Sequence, residues 1–237
     1  MLGLSGCGST DADAAPVERK SFALEGRELT IEAGNSSLRI EPADVERVEV
    51  ERQVDGWVMF GSGPDPVWRM DGGTLTLKVD CDAMISDCEA RYTVKVPDGV
   101  AVNVDGDNGK ITATGFDTPL ELSSDNGGVV VRDVSGPLKL RSQNGSVDAK
   151  NISGASVEAR SDNGEVRLEF AAVPDLVDVV SQNGRIDIDL PSGRDAYAVD
   201  ADADNGDVDV DVPRDSTSHH VVKVRSDNGG ITVRNAG

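Results

Sequence analysis

The chain is 237 residues long, with 26 Gly, 10 Pro and only 3% aromatic residues, a composition of turns and short apolar strands that suits β-structure. Its formal charge is −20, from 23 Lys and Arg against 43 Asp and Glu, which repels phosphates and anionic headgroups and excludes nucleic acid as a partner. No run of 18 apolar residues occurs, so no helical membrane span is expected.

The first residues read MLGLSGCGST. Leu4-Ser5-Gly6-Cys7 resembles the lipobox of bacterial lipoproteins, in which small residues precede a cysteine whose thiol carries the lipid. Only six residues precede Cys7, fewer than the charged region and apolar stretch of about 7–15 residues that a leader needs, so the start is expected upstream or the leader already trimmed. The following GSTDADAAPVERKS reads as a flexible polar tether. Residues 1–20 are thus an anchor and tether, and the expected location is extracytoplasmic, lipid-anchored at the bacterial cell envelope.

Residues 21–100 form a second region. Its first part, LTIEAGNSSLRI (29–40), places apolar residues at fixed offsets around Asn35. Strand-like runs follow in VERVEVERQ, TLTLKVD and YTVKVP, around DGWVMFGSGPDPVW at 55–68. Trp57, Phe60 and Trp68 are read as cap or lid residues, with a sugar-binding platform as the alternative. Cys81 and Cys88 are expected to form a local disulfide in an exported protein. Two thiols are too few for a metal site, and the only histidines, His219 and His220, are remote in sequence, so no metal is assigned.

Residues 101–237 are a repeat. Asn-Gly recurs at Asn108-Gly109, Asn126-Gly127, Asn144-Gly145, Asn163-Gly164, Asn183-Gly184, Asn205-Gly206 and Asn228-Gly229, at spacings of 18, 18, 19, 20, 22 and 23. Three and five residues after each Asn the column is apolar, as with Val129 and Val131; four and six before it is apolar again, as with Leu120 and Leu122. Two before, only Gly, Ser or Ala occurs. Period 2 on both arms, with a change of phase across the Asn-Gly, describes two strands sharing one interior around a bend where positive φ is cheap. An isolated hairpin would leave one face of each unit uncovered. The return segments, such as RDVSGP and KNISGA, are too short for helices and serve as a third side.

The fold class that follows is all-β: a single-stranded parallel β-solenoid of about seven to eight coils of 18–23 residues with an irregular β N-terminal cap. The Asn35 segment is a divergent coil with Ser36 in place of Gly. Stacked in chain order, the coil around Asn228 is the last, an uncapped edge open to fraying or to self-association with another chain.

With the repeats, the lipobox and the VPDG at 96–99 in view, the chain resembles the DUF4097 family of bacterial candidate adhesins with β-strand repeats. The resemblance implies an envelope-located β-solenoid; it brings no catalytic residues and no cofactor. The reading is a non-catalytic, lipid-anchored scaffold that binds an envelope or surface protein or glycan. No Ser-His-Asp, HExxH, Walker or dinucleotide pattern occurs. The alternatives are a carbohydrate-active β-helix enzyme, with Asp209 and Asp211 as its carboxylates, and a calcium-stabilised module using the acid-rich DADADNGDVDVDV at 200–212.

Overall fold

The structure, a computed structural model, describes residues 15–236, and within them the side chains outside 57–63 and 81–87. Among these residues every regular element is a strand. In chain order, β1 (Glu18–Phe22) precedes a coil of β2 (Glu28–Asn35) and β3 (Ser37–Ala43), followed by a long hairpin of β4 (Val48–Asp71) and β5 (Thr74–Pro97). Then come the coils β6 (Ala101–Asn108) with β7 (Ile111–Thr114), β8 (Leu120–Ser124) with β9 (Val129–Val134), and β10 (Leu138–Ser142) with β11 (Val147–Ile152). They continue as β12 (Ser156–Asn163) with β13 (Val166–Phe170) and β14 (Leu176–Asn183) with β15 (Ile186–Leu190). The last two are β16 (Ala198–Asn205) with β17 (Val208–Asp211) and β18 (Val221–Asn228) with β19 (Ile231–Asn235).

Each coil lies parallel and in register on its neighbours, pre-corner arm on pre-corner arm and post-corner arm on post-corner arm. The solenoid is therefore the fold that the two apolar phases demand, and the inward columns are the core. Leu122, Leu140, Ala159 and Val179 are fully buried on one arm; Val129, Val147, Val166 and Ile186 match them on the other. The return side has its own column, which the short return segments do not reveal: Phe116, Val134, Ile152 and Phe170 stack one above another and are buried. Phe116 and Phe170 thus bury their rings in the interior column of the return side. Asp133 and Asn151 turn this second corner with φ of 56° and 55°.

The coils do not stack in chain order. β14 pairs with β18, and β18 with β16, so the final coil is tucked inside and β16–β17 forms the open end. This corrects the expectation of an exposed C-terminal edge: Ile231 and Val233 are buried, while Val208 is 42% exposed. Charge supplies the physical reason. Chain-order stacking would oppose Asp178 to Asp200 and Asp189 to Asp211; the tucked coil places Lys223 between the first two and Arg234 between the second. Opposite charges facing each other on neighbouring strands stabilise by roughly 0.2–1 kcal/mol, and like charges destabilise. Arg234 donates from Nε to Asp189 Oδ1 at 2.6 Å, which holds its guanidinium above the usual arginine range. The spacings of 22 and 23 residues have the same origin, because the chain must climb past one coil and then return.

The N-terminal region is tucked in the same way. The coil β2–β3 lies between β5 and β6–β7, with Asn35 in register with Asn108. The irregular cap expected here is a hairpin of two 24-residue strands, with a register shift between Ser62 and Asp65, turned at Gly72-Gly73 with both φ positive. β5 supplies the next coil with its two ends, 74–77 beside β2 and 91–97 beside β3, while its middle leaves the stack paired to β4. The antiparallel β1 closes this end on β4, with Arg19 and Arg52 bridging to Glu51 and Glu18 at 2.7 and 2.5 Å. Trp68 packs as a cap residue: the Arg52 guanidinium lies 3.9 Å over its ring, occupying the face a sugar platform would offer. Trp57 and Phe60 lie outside the described side chains.

Candidate functional site

At every corner the Asn side chain turns along the stack. Asn108 donates from Nδ2 to Asn35 Oδ1 at 2.5 Å, Asn126 to Asn108 at 2.8 Å, Asn144 to Asn126 at 2.9 Å and Asn163 to Asn144 at 3.0 Å. The ladder continues from Asn183 to Asn163 and from Asn228 to Asn183 at 3.1 Å, and ends with Asn205 to Asn228 at 3.2 Å, following the tucked order. The inward serines stitch the same corner from inside, Ser142 Oγ donating to the Gly127 carbonyl at 3.0 Å and the Gly127 N–H donating to Ser124 Oγ at 3.0 Å.

The glycines are present for a different reason than the sequence suggests. Among the corner glycines only Gly109 and Gly229 take positive φ. At Gly127, Gly145, Gly164, Gly184 and Gly206 a Cβ would instead collide with the backbone carbonyl of the neighbouring corner glycine. Coil-on-coil approach, not backbone handedness, selects glycine.

The residues just before each Asn form an outward row in which two amides bind neighbouring carboxylates. Gln143 donates to Asp125 Oδ1 at 2.6 Å and Gln182 to Asp162 Oδ1 at 3.3 Å. In the acid-rich segment at 200–212, Asp200 faces Lys223, Asp202 faces Arg225 and Asp211 faces Arg234 across the ladder, while Asp209 faces Thr232. Among the described residues these acids do not bring three ligand atoms within 4.8 Å of one another.

Cys7 lies outside the described residues, as does the side chain of Cys81. Cys88 is disulfide-bonded.

The pre-corner face carries two depressions. A groove of about 290 Å³ crosses successive coils between Glu28 and Glu158, floored at the return edge by Pro119 and Pro137 and walled by Asn103, Glu121, Lys139 and Ser156. A second depression of about 260 Å³ lies alongside, over Asp105, Ser123, Arg141 and Arg160. Register sets the chemistry of both. Lys139 lies between Glu121 and Glu158, and its Nζ reaches Glu121 Oε1 at 2.7 Å, a bond that holds the ammonium above the usual lysine range. Arg141 lies directly beside Arg160, two like charges on adjacent strands of an acidic protein. Both are about half exposed; Arg160 contacts Glu158 at 3.0 Å, and Arg141 is 3.9 Å from Asp162. Sequence reasoning missed this pair because each arginine is unremarkable in its own repeat, and only the column at three residues before the Asn brings them together.

One further gathering escapes the sequence. His219 and His220 precede β18, Asp175 precedes β14, and the tucked order makes those strands neighbours.

Residues 86–234 match the Toastrack DUF4097 family. No curated protein sequence matches the chain. Among solved structures, the chain is similar to a candidate adhesin from Bacteroides fragilis at 15% identity, with a TM-score of 0.58 over 93% of this chain and 97% of that one. It also aligns with a candidate cell adhesion protein from Clostridium sporogenes at 11% identity and a TM-score of 0.42, over 94% of this chain and all of the other. Two parallel faces, a solenoid core and the matched repeat lead to one assignment: the chain belongs to the Toastrack DUF4097 family.

Proposed function

We propose that the chain is a non-catalytic, lipid-anchored module of the bacterial cell envelope whose solenoid displays a binding face for acidic groups on a surface glycan or protein. The observation that carries this reading is the Arg141–Arg160 pair beside the pre-corner groove. Adjacent like charges cost stability in a sheet, and an anionic ligand group bridging the two guanidiniums converts that cost into affinity. The in-register stack supports the role mechanically, because it holds both arginines on rigid strands instead of loops. The tether after Cys7 lets a fixed face stand off a membrane, and the similarity to candidate adhesins fits display outside the cell.

The test uses an array of acidic and neutral glycans and surface proteins, probed with the full chain. Arg141→Glu with Arg160→Glu should lower retention on acidic ligands about tenfold or more, whereas Arg132→Glu with Lys150→Glu, on the post-corner face, should leave it within about twofold. Equal retention by both variants overturns the assignment of the face. Separately, Cys7→Ser should release the protein from the membrane fraction; unchanged membrane association rejects the lipid anchor.

A further inference from the structure

Three polar side chains meet where β14 and β18 begin. One ligand atom each from Asp175, His219 and His220 lies within 4.8 Å of the others. The ladder itself brings them together: Leu176 is in register with Val221, and the Val221 N–H donates to the Asp175 carbonyl at 2.8 Å. Stacking in chain order would have put β16 between the two strands and kept these residues apart.

The site is braced. The His220 side chain is 18% exposed, its ring 6.2 Å from that of Tyr197 and 4.0 Å from that of His219. Its Nδ1 donates to the Pro174 carbonyl at 2.9 Å and lies 3.5 Å from Asp175 Oδ1. In the neutral imidazole a ring N–H donated to a carbonyl leaves Nε2 as the nitrogen able to ligate, and it is the outer support that metal-ligating histidines have. The loop leading to it is held as well. Ser218 Oγ donates to the Ala196 carbonyl at 2.7 Å and accepts the His220 N–H at 3.1 Å. Asp215 accepts the N–H and hydroxyl of Thr217, which holds its carboxyl below the usual carboxylate range.

We propose that Asp175, His219 and His220 bind a divalent transition metal of the zinc class. Two imidazoles and one carboxylate suit Zn²⁺ or Cu²⁺, with a fourth position open to water, whereas Ca²⁺ and Mg²⁺ take oxygen ligands. The metal ties the 212–220 connection to the start of β14 and so clamps the tucked coil in place.

Titration calorimetry of the full chain without a histidine tag, with ZnCl₂ as probe, should show one equivalent bound, and neither MgCl₂ nor CaCl₂ should compete. His219→Ala and Asp175→Asn should each weaken zinc binding about tenfold or more. Both side chains are exposed, so these variants should keep the wild-type far-UV spectrum. Zinc should also slow hydrogen exchange in peptide 212–228 of the wild type and not of the variants. Absence of zinc binding, or equal affinity in wild type and both variants, overturns the proposal; the second result would place the metal elsewhere on the chain.

Discussion

Gly145→Ala tests whether coil-on-coil approach is what fixes glycine at the corners. A Cβ at Gly145 would stand 2.6 Å from the Gly127 carbonyl carbon and 2.9 Å from the Gly128 nitrogen, both backbone atoms that no rotamer can move away. Reaching ordinary contact requires the two coils to part by roughly 0.8 Å at the corner. The hydrogen bonds that cross there include Gln143 N–H to Ser124 O at 3.0 Å, Asn144 N–H to Asp125 O at 2.9 Å, Asn144 Nδ2 to Asn126 Oδ1 at 2.9 Å, and Val129 N–H to Ser146 O at 2.9 Å. Stretched by that amount they exceed about 3.2 Å and cease to be good bonds. Losing two or three of them, at about 1 kcal/mol each, plus residual overlap, gives a destabilisation of about 2–4 kcal/mol. For a chain of this size that corresponds to a fall of about 6–12 °C in Tm, measured by circular dichroism at 218 nm. The control is Gly128→Ala, one corner earlier, where a Cβ meets nothing closer than Ser146 O at 3.5 Å. With no positive φ at Gly128, this substitution should be neutral or stabilising by up to about 1 kcal/mol. If Gly145→Ala melts with Gly128→Ala and wild type, the close-approach reasoning is wrong.

Two other outcomes follow from the stack. The tucked order predicts that Ile231→Ala, inside it, costs about 2–4 kcal/mol in urea unfolding, and Val208→Ala, 42% exposed at the open end, less than about 1; the reverse ranking would restore stacking in chain order. Alkaline pH should also weaken the fold through Tyr92. Burial, only partly offset by the Arg52 charge, pushes its phenol up to about 12, and the hydroxyl donates to the Lys78 carbonyl at 3.2 Å. Because the folded value lies above the unfolded value of about 10, the contribution is fully present below pH 10 and lost as pH rises toward 12. Tyr92→Phe should flatten that loss in melts taken from pH 9 to 12, and an unchanged slope would count against it.

The sequence reveals the coil but not the order of coils. Val129 and Val131, or Leu120 and Leu122, announce their arms because burial on one face imposes period 2, and the same pattern around Asn35 identifies the divergent coil. Order depends on which strand lies beside which, and that is decided by weak charge pairing between outward residues such as Asp178 and Lys223, 45 residues apart. The lengthened spacings before Asn205 and Asn228 were its one visible trace. The β4–β5 hairpin was hidden for another reason: one strand serves both the stack and the excursion, so no single alternation runs through it. The Arg141–Arg160 pair and the Asp175–His219–His220 gathering share that cause, since both exist only across neighbouring coils.

The asparagine ladder also governs how this protein ages. Asn-Gly is the dipeptide most prone to lose its amide, because the glycine nitrogen can close on the asparagine side-chain carbon and expel ammonia, leaving an acid or a rerouted backbone. The chain carries seven such dipeptides. In the stack each amide is held by its neighbours, and glycine nitrogens that would attack are engaged as donors, Gly127 to Ser124 Oγ and Gly164, Gly184 and Gly229 to the corner carbonyls of the next coil. Ring closure therefore has to wait for a coil to open. Chemical damage should begin at the end where coils open most readily, at Asn205, and record over the life of the molecule which parts of it have come undone.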